Sequence, residues 1–86
     1  MSYILIIKKQ AKKVLQGLSR PDRNRIAEKI QLLGENPDNP NLDIKPLQGQ
    51  SYYRLRVGDW RVIFDRDDEV KIIAIEKVKP RGGAYK

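Results

Sequence analysis

The chain has 86 residues, with 18 Lys or Arg against 11 Asp or Glu and a formal net charge of +7. That length predicts one small domain with a modest core, and the basic balance predicts a polyanionic partner, nucleic acid sooner than membrane. Cys and His are both absent, which excludes disulfides, thiolate metal sites and every Ser-His or Cys-His arrangement; chemistry must come from Lys, Arg, Tyr, Asp or Glu, and neither metal nor cofactor is expected.

Residues 2–7 (SYILII) are apolar and β-branched, as a short strand requires. They are too few for the core of a signal peptide, and Lys8 and Lys9 follow them instead of preceding them. No apolar run approaches the roughly 20 residues of a membrane span, so a cytoplasmic protein is expected. Over residues 8–18 the period changes: Ala11, Val14, Leu15 and Leu18 recur at helical spacing. Residues 19–22 (SRPD) break this helix and start another, with Ser19 able to cap, Pro21 suited to the first turn and Asp22 to the positive helix end. Ile26, Ile30 and Leu33, with Leu32 beside them, mark the second helix, which stops in residues 34–37 (GENP). So short a link predicts an antiparallel pair.

Residues 36–41 (NPDNPN) form a turn-rich loop. Residues 42–50 are mixed, with Leu42, Ile44 and Leu47 as anchors. Strand-like runs follow at residues 52–57, 60–65 and 70–78, and a tail at residues 79–86 (KPRGGAYK) is expected to be mobile. The prediction is an α+β fold of order β-α-α-β-β-β. Two antiparallel helices pack on one face of a small, mainly antiparallel four-stranded sheet, in a single domain of residues 1–86.

Residues 53–64 (YRLRVGDWRVIF) alternate on both sides of Gly58-Asp59, which reads as a two-residue hairpin loop of type II′ or I′. Such a loop sets the register: Val57 faces Trp60, Arg56 faces Arg61, Leu55 faces Val62, Arg54 faces Ile63 and Tyr53 faces Phe64. Tyr53, Leu55, Val57, Trp60, Val62 and Phe64 then line the core face. Tyr52, Arg54, Arg56 and Arg61 line the other. Arg56 opposite Arg61 costs stability, and three guanidiniums on one face suit a phosphate; the plainer alternative is a solvated polar face with Asp59 or Asp65 as partners. Across the connection at residues 66–69, Phe64 is expected to share its face with Val70, Ile72 and Ala74, leaving Ile73 and Ile75 as an apolar floor under the arginines.

Residues 45–49 (KPLQG), 53–62 (YRLRVGDWRV) and 80–85 (PRGGAY) together resemble the RelE branch of the RelE/ParE toxin superfamily. The likeness covers nearly the whole chain, and the order and lengths of the early strand and two helices agree with it. It implies a fold similar to small microbial RNases, an antitoxin partner, and a toxin that enters the ribosomal A site and cuts mRNA. In such cleavage the message's own 2′-hydroxyl attacks the adjacent phosphorus and leaves a 2′,3′-cyclic phosphate. Carried over by position, Arg54 and Arg56 take the two basic sites of the strand before Gly58, Arg61 binds the scissile phosphate, and Arg81 and Tyr85 complete the site from the tail. Tyr85 can stack on a base, orient the 2′-hydroxyl or take its proton. Lys45, Tyr52, Lys79, Lys8 and Lys12 are candidate RNA contacts. With the other helix cations Lys9, Lys13, Arg20, Arg23, Arg25 and Lys29, Lys8 and Lys12 could dock on ribosomal RNA.

One departure stands out. Some members carry lysines where this chain has Arg54 and Arg56, and arginine hardly gives up a proton. Lys79 and Lys86 are candidate substitutes as proton donors. A ParE-like toxin acting on DNA gyrase and a non-catalytic RNA-binding module remain as competing readings.

Overall fold

A computed structural model describes residues 2–49 and 51–80 of the chain. The period change after Ile7 marks the end of β1 (Ile4–Ile7) and the start of α1 (Lys9–Gln16). Then come α2 (Arg20–Glu35), β2 (Asp43–Pro46), β3 (Tyr53–Val57), β4 (Trp60–Asp67) and β5 (Ile72–Pro80). Ser19 takes the N-cap position of α2 in extended backbone, and Pro21 lies in its first turn; the Ser19 side chain makes no capping bond. The loop after α2 is held by asparagine side chains: Asn36 Oδ1 accepts from the Asp38 N–H at 3.0 Å, and Asn39 Oδ1 from the Asn41 N–H at 2.9 Å.

The strands form one five-stranded sheet in the order β1-β5-β4-β3-β2, with β1 parallel to β5 and the other pairs antiparallel. Four strands were expected. The fifth is β2, whose residues Asp43, Ile44, Lys45 and Pro46 contain one inward apolar side chain. Charge and proline are what an edge strand carries to discourage further pairing, and they erase the alternation by which strands are read.

One sheet face carries the core. Leu55, Val57, Val62, Phe64, Ile73, Ile75 and Val78 are buried against Ala11 of α1 and Ile26, Ile30 and Leu33 of α2. Helical residues three and four apart thus meet strand residues two apart, as each period requires. Phe64 is fully buried and stacks on Tyr53, with ring centroids 5.5 Å apart.

The hairpin of β3 and β4 has the predicted register at all five positions, from Tyr53 opposite Phe64 to Val57 opposite Trp60. Gly58 has φ +57, and Asp59 is not among the residues with positive φ, so the turn is type II′.

The next hairpin departs from expectation. β4 runs on to Asp67, and the turn comprises residues 68–71. Asp67 Oδ1 accepts from the Glu69 and Val70 N–H groups at 3.0 and 3.2 Å, and Lys71 takes the left-handed region at φ 59. An even-length turn puts Ile75 opposite Phe64 and Ile73 opposite Arg66. Ile73 and Ile75 therefore belong to the core and are fully buried, whereas Val70 lies in the turn, 59% exposed. Lys79 and Pro80, assigned to the tail by sequence, continue β5 opposite Arg61 and Trp60.

Candidate active site

The open face of the sheet is ordered by its registers. Directly paired residues of adjacent strands point the same way, with Cβ atoms roughly 4.5–5.5 Å apart. One row across the sheet reads Asp43, Arg56, Arg61, Lys79; the next reads Lys45, Arg54, Ile63, Lys77. Six cations thus share a surface two rows deep. Arg54, Arg56, Lys45 and Lys77 make no ion pair among the described residues. Asp43 flanks Arg56 and offsets part of its repulsion with Arg61.

The second row has a floor. Ile63 is 5% exposed yet lies outside the main core, buried on the open face instead. It lines a cleft of about 440 Å³ with Leu47, Tyr52, Arg54, Glu76, Lys77 and Lys79, a size within the ~300–1,000 Å³ of small-ligand sites. Apolar walls and buried surroundings strengthen charge interactions there. The Nε of Arg54 is buried with no hydrogen-bond partner among the described residues. A buried donor left unmade costs roughly 1–3 kcal/mol, and an anion in the cleft would remove that cost.

A β-bulge shapes the same cleft. Phe64 pairs with Ile75 and Ile63 with Lys77, so Glu76 lies between them without a partner. Ile75 points to the core, and both Glu76 and Lys77 line the cleft. The extra residue breaks strict alternation and turns two consecutive side chains to one face.

The structure brings together Arg54, Arg56, Arg61, Lys45 and Lys79 from the predicted set, with Tyr52 on the cleft wall. Lys8 reaches its rim, Nζ 3.9 Å from Glu76 Oε2. Lys12 stands apart, beside Lys9, Lys13 and Gln16 on α1. Arg81 and Tyr85 lie outside the described residues, as does Lys86. Sequence reading missed Glu76, Lys77 and the role of Ile63 as floor; it placed Ile73 and Ile75 there. Lys77 follows once the register of β4 with β5 is known, but no residue in 75–77 announces the bulge.

A second charged cluster behaves differently. Arg66 donates from Nε to Asp68 Oδ1 at 2.9 Å and from Nη1 to Asp38 Oδ1 at 3.1 Å, and Tyr3 Oη donates to the same Asp68 oxygen at 2.9 Å. The Arg66 guanidinium and Lys71 ammonium stand 5.8 and 5.3 Å from the Tyr3 ring centre. Hydrogen bonding to Asp68 raises the Arg66 pKa further, and the bond from Arg66 holds the Asp68 carboxyl below its ordinary 3.8. These partners neutralise one another and tie β1, the loop after α2 and the turn at residues 68–71 together. It is a structural clamp, in contrast to Arg54, Arg56, Lys45 and Lys77 of the open face, which make no ion pair among the described residues.

The model of the family described as the ParE toxin of type II toxin-antitoxin system, parDE, matches residues 5–85. The RelE1 protein of Methanocaldococcus jannaschii is 35% identical over 88 aligned positions, covering 100% of this chain and 98% of its own. Among solved structures, RelE in the archaeal RelE–RelB complex of Pyrococcus horikoshii OT3 superposes with a TM-score of 0.82 at 37% identity, covering 95% of this chain and 98% of that one. The isolated E. coli RelE toxin gives 0.76 at 19% identity, over 94% and 86% of the two chains, a likeness of fold alone. A family model spanning nearly every residue, and a relative aligned end to end, place the chain in the RelE/ParE family: it is a RelE-type toxin of a type II toxin-antitoxin system.

Proposed function

We propose that the open sheet face is the active site of a metal-independent endoribonuclease that cuts mRNA in the ribosomal A site. The observation that carries this reading is the row Arg56, Arg61, Lys79 beside Arg54, Ile63, Lys77. Guanidiniums grip phosphate oxygens in pairs, and an apolar floor gives a base or ribose somewhere to rest.

In this reading the 2′-hydroxyl of the message attacks the adjacent phosphorus, giving a 2′,3′-cyclic phosphate and a free 5′-hydroxyl. Arg61 and Arg81 stabilise charge growing on the phosphate oxygens. Arg54 and Arg56 fix the phosphate on either side. They hardly donate protons, so the leaving 5′-oxygen takes its proton from an ammonium group, and Lys77 and Lys79 stand in the same cleft. Tyr85 stacks on a base or orients the 2′-hydroxyl; Tyr52 offers a second stacking surface, and Lys45 extends the phosphate track. Lys8, Lys12 and the remaining helix cations dock on ribosomal RNA.

A cognate antitoxin is the proposed partner, as RelE of Pyrococcus horikoshii was crystallised with RelB. Ile4, Ile6 and Ile7 on the edge strand β1, and Val70 beyond it, are exposed and supply apolar area for such a chain. The family model's description by ParE keeps the gyrase-directed reading as the alternative; the cations around Ile63 speak against it. A non-catalytic RNA-binding module would use the same cations without cutting.

Primer extension on a reporter message in a reconstituted translation system, with and without ribosomes, tests the proposal. Ribosome-dependent cuts within the A-site codon that vanish in Arg61→Ala support it. Absence of cutting by the folded native chain in both formats overturns it.

A further inference from the structure

We propose that Glu76 is the proton acceptor of this site, taking the 2′-hydroxyl proton as the oxygen attacks; the inference rests on the nuclease reading above. Two observations together point to it. The first is the bulge. Strand alternation alone sends Glu76 to the open face, away from Ile75, and would send Lys77 back to the core. The unpaired position re-aims Lys77 and sets its ammonium in the cleft beside the Glu76 carboxylate, and bulges recur where a strand must re-aim a side chain beside an active site.

The second is the company Glu76 keeps. Among the described residues, the polar ones lining the cleft are Tyr52, Arg54, Glu76, Lys77 and Lys79. Guanidinium and ammonium groups have no lone pair to offer, and a phenol holds its own proton at neutral pH. A carboxylate is acceptor-only and is the one residue type in that lining that can receive a proton. A surface shaped only to bind phosphate gains nothing from a negative charge in its lining, since Glu76 repels the ligand its neighbours attract. Lys8, at the start of α1, stands 3.9 Å from the carboxylate, and Arg54 on β3 with Lys77 and Lys79 on Glu76's own strand line the same cleft.

The step balances. A Glu76 carboxylate oxygen takes the 2′-hydroxyl proton while the 2′-oxygen forms its bond to phosphorus. The bond from phosphorus to the 5′-oxygen breaks, and that oxygen takes a proton from a cleft ammonium, Lys77 or Lys79. The products are the 2′,3′-cyclic phosphate and a 5′-hydroxyl, and transfer of the proton from Glu76 to the neutral lysine through water restores the site. Neither oxidant nor metal enters.

The test is single-turnover cleavage on programmed ribosomes across pH, for the native chain, Glu76→Gln and Glu76→Asp, each checked for native unfolding midpoint in urea. Glu76→Gln is expected to slow cleavage by roughly 10²- to 10⁴-fold, the span of general-base catalysis. It should also bind uncleavable RNA at least as tightly as the native chain, because a negative charge has gone. The rise in native rate as a carboxylate deprotonates should persist in Glu76→Asp and be missing from the residual activity of Glu76→Gln. If Glu76→Gln cuts as fast as the native chain, or keeps that acidic limb, the assignment is wrong while the nuclease reading stands. A native chain that cuts nothing on ribosomes removes both.

Discussion

Arg56 of β3 and Arg61 of β4 are direct cross-strand partners, and their row continues to Asp43 on one side and Lys79 on the other. Two like charges at that spacing oppose folding by a few tenths of a kcal/mol up to about one. Cross-strand pairs of opposite charge, or Thr with Arg, would serve the sheet better. The arrangement makes sense as a site kept at the expense of stability, and the trade can be measured.

Arg61→Thr should therefore raise the urea midpoint slightly, by up to about 1 kcal/mol in unfolding free energy. In the same protein it should lower cleavage on programmed ribosomes by roughly 10²- to 10³-fold, the usual cost of losing one charge-stabilising donor. Equilibrium unfolding and cleavage of the same preparation decide the matter. A variant both less stable and fully active would remove Arg61 from the site.

The open-face cations should also show themselves through salt. Binding of a short 2′-O-methyl RNA, followed by fluorescence anisotropy, should weaken linearly in log–log form as salt rises. Lys77→Ala and Lys45→Ala should each make that slope shallower by about 0.7, the value for one phosphate contact on a single strand. Lys12→Ala, at a position outside the cleft lining, should leave it unchanged with free RNA.

The type II′ turn makes a backbone prediction. Gly58 has φ +57, where a Cβ meets its own backbone at a cost of about 1–2 kcal/mol. A Cβ there would lie 3.5 Å from Arg25 Nη1, an ordinary contact, so backbone strain alone sets the penalty. Gly58→Ala should lower unfolding free energy by that amount in urea titration. An unchanged midpoint would mean the turn is not type II′.

Acid should loosen the clamp around Arg66. The Asp68 carboxyl titrates below its ordinary 3.8 in the folded chain because it accepts from Arg66 and Tyr3. A depressed folded value means the native state binds fewer protons than the unfolded state. The stabilisation is complete above the unfolded value and is lost as pH falls from about 4 through the lower folded value. Asp68→Asn should flatten the acid side of a plot of urea midpoint against pH and leave the neutral plateau lower than in the native chain. Identical acid slopes for the two proteins would contradict this account.

Legibility in sequence divides along the hairpins. Arg54, Arg56 and Arg61 could be placed on one face because Gly58-Asp59 permits one short loop and a two-residue loop sets every pair beyond it. The helix faces were readable for a similar reason: Ile26, Ile30 and Leu33 are spaced by the helical repeat and all are buried. Beyond Phe64 this reasoning failed. The turn after Asp67 is held by an aspartate side chain and a left-handed Lys71, and neither residue type demands that geometry. A count wrong by one sent Ile73 and Ile75 to the wrong face. The bulge at Glu76 was equally silent, since it answers to pairing with a strand distant in sequence. Edge strand β2 was hidden because protection from pairing and legibility as a strand require opposite residues.

The parallel pairing of β1 with β5 has a consequence for the order of assembly. Ile4 finds its partner in Ile72, and Ile7 in Ile75. Closing a loop of that length precedes any gain from the contact. During synthesis, β1 waits for its neighbour until β5 has been made, and Lys77 and Lys79 arrive on that same strand. The cationic cleft therefore forms only after β5 has been made. A nascent chain that stops short of β5 carries the helices and the first arginines, but not the assembled cleft.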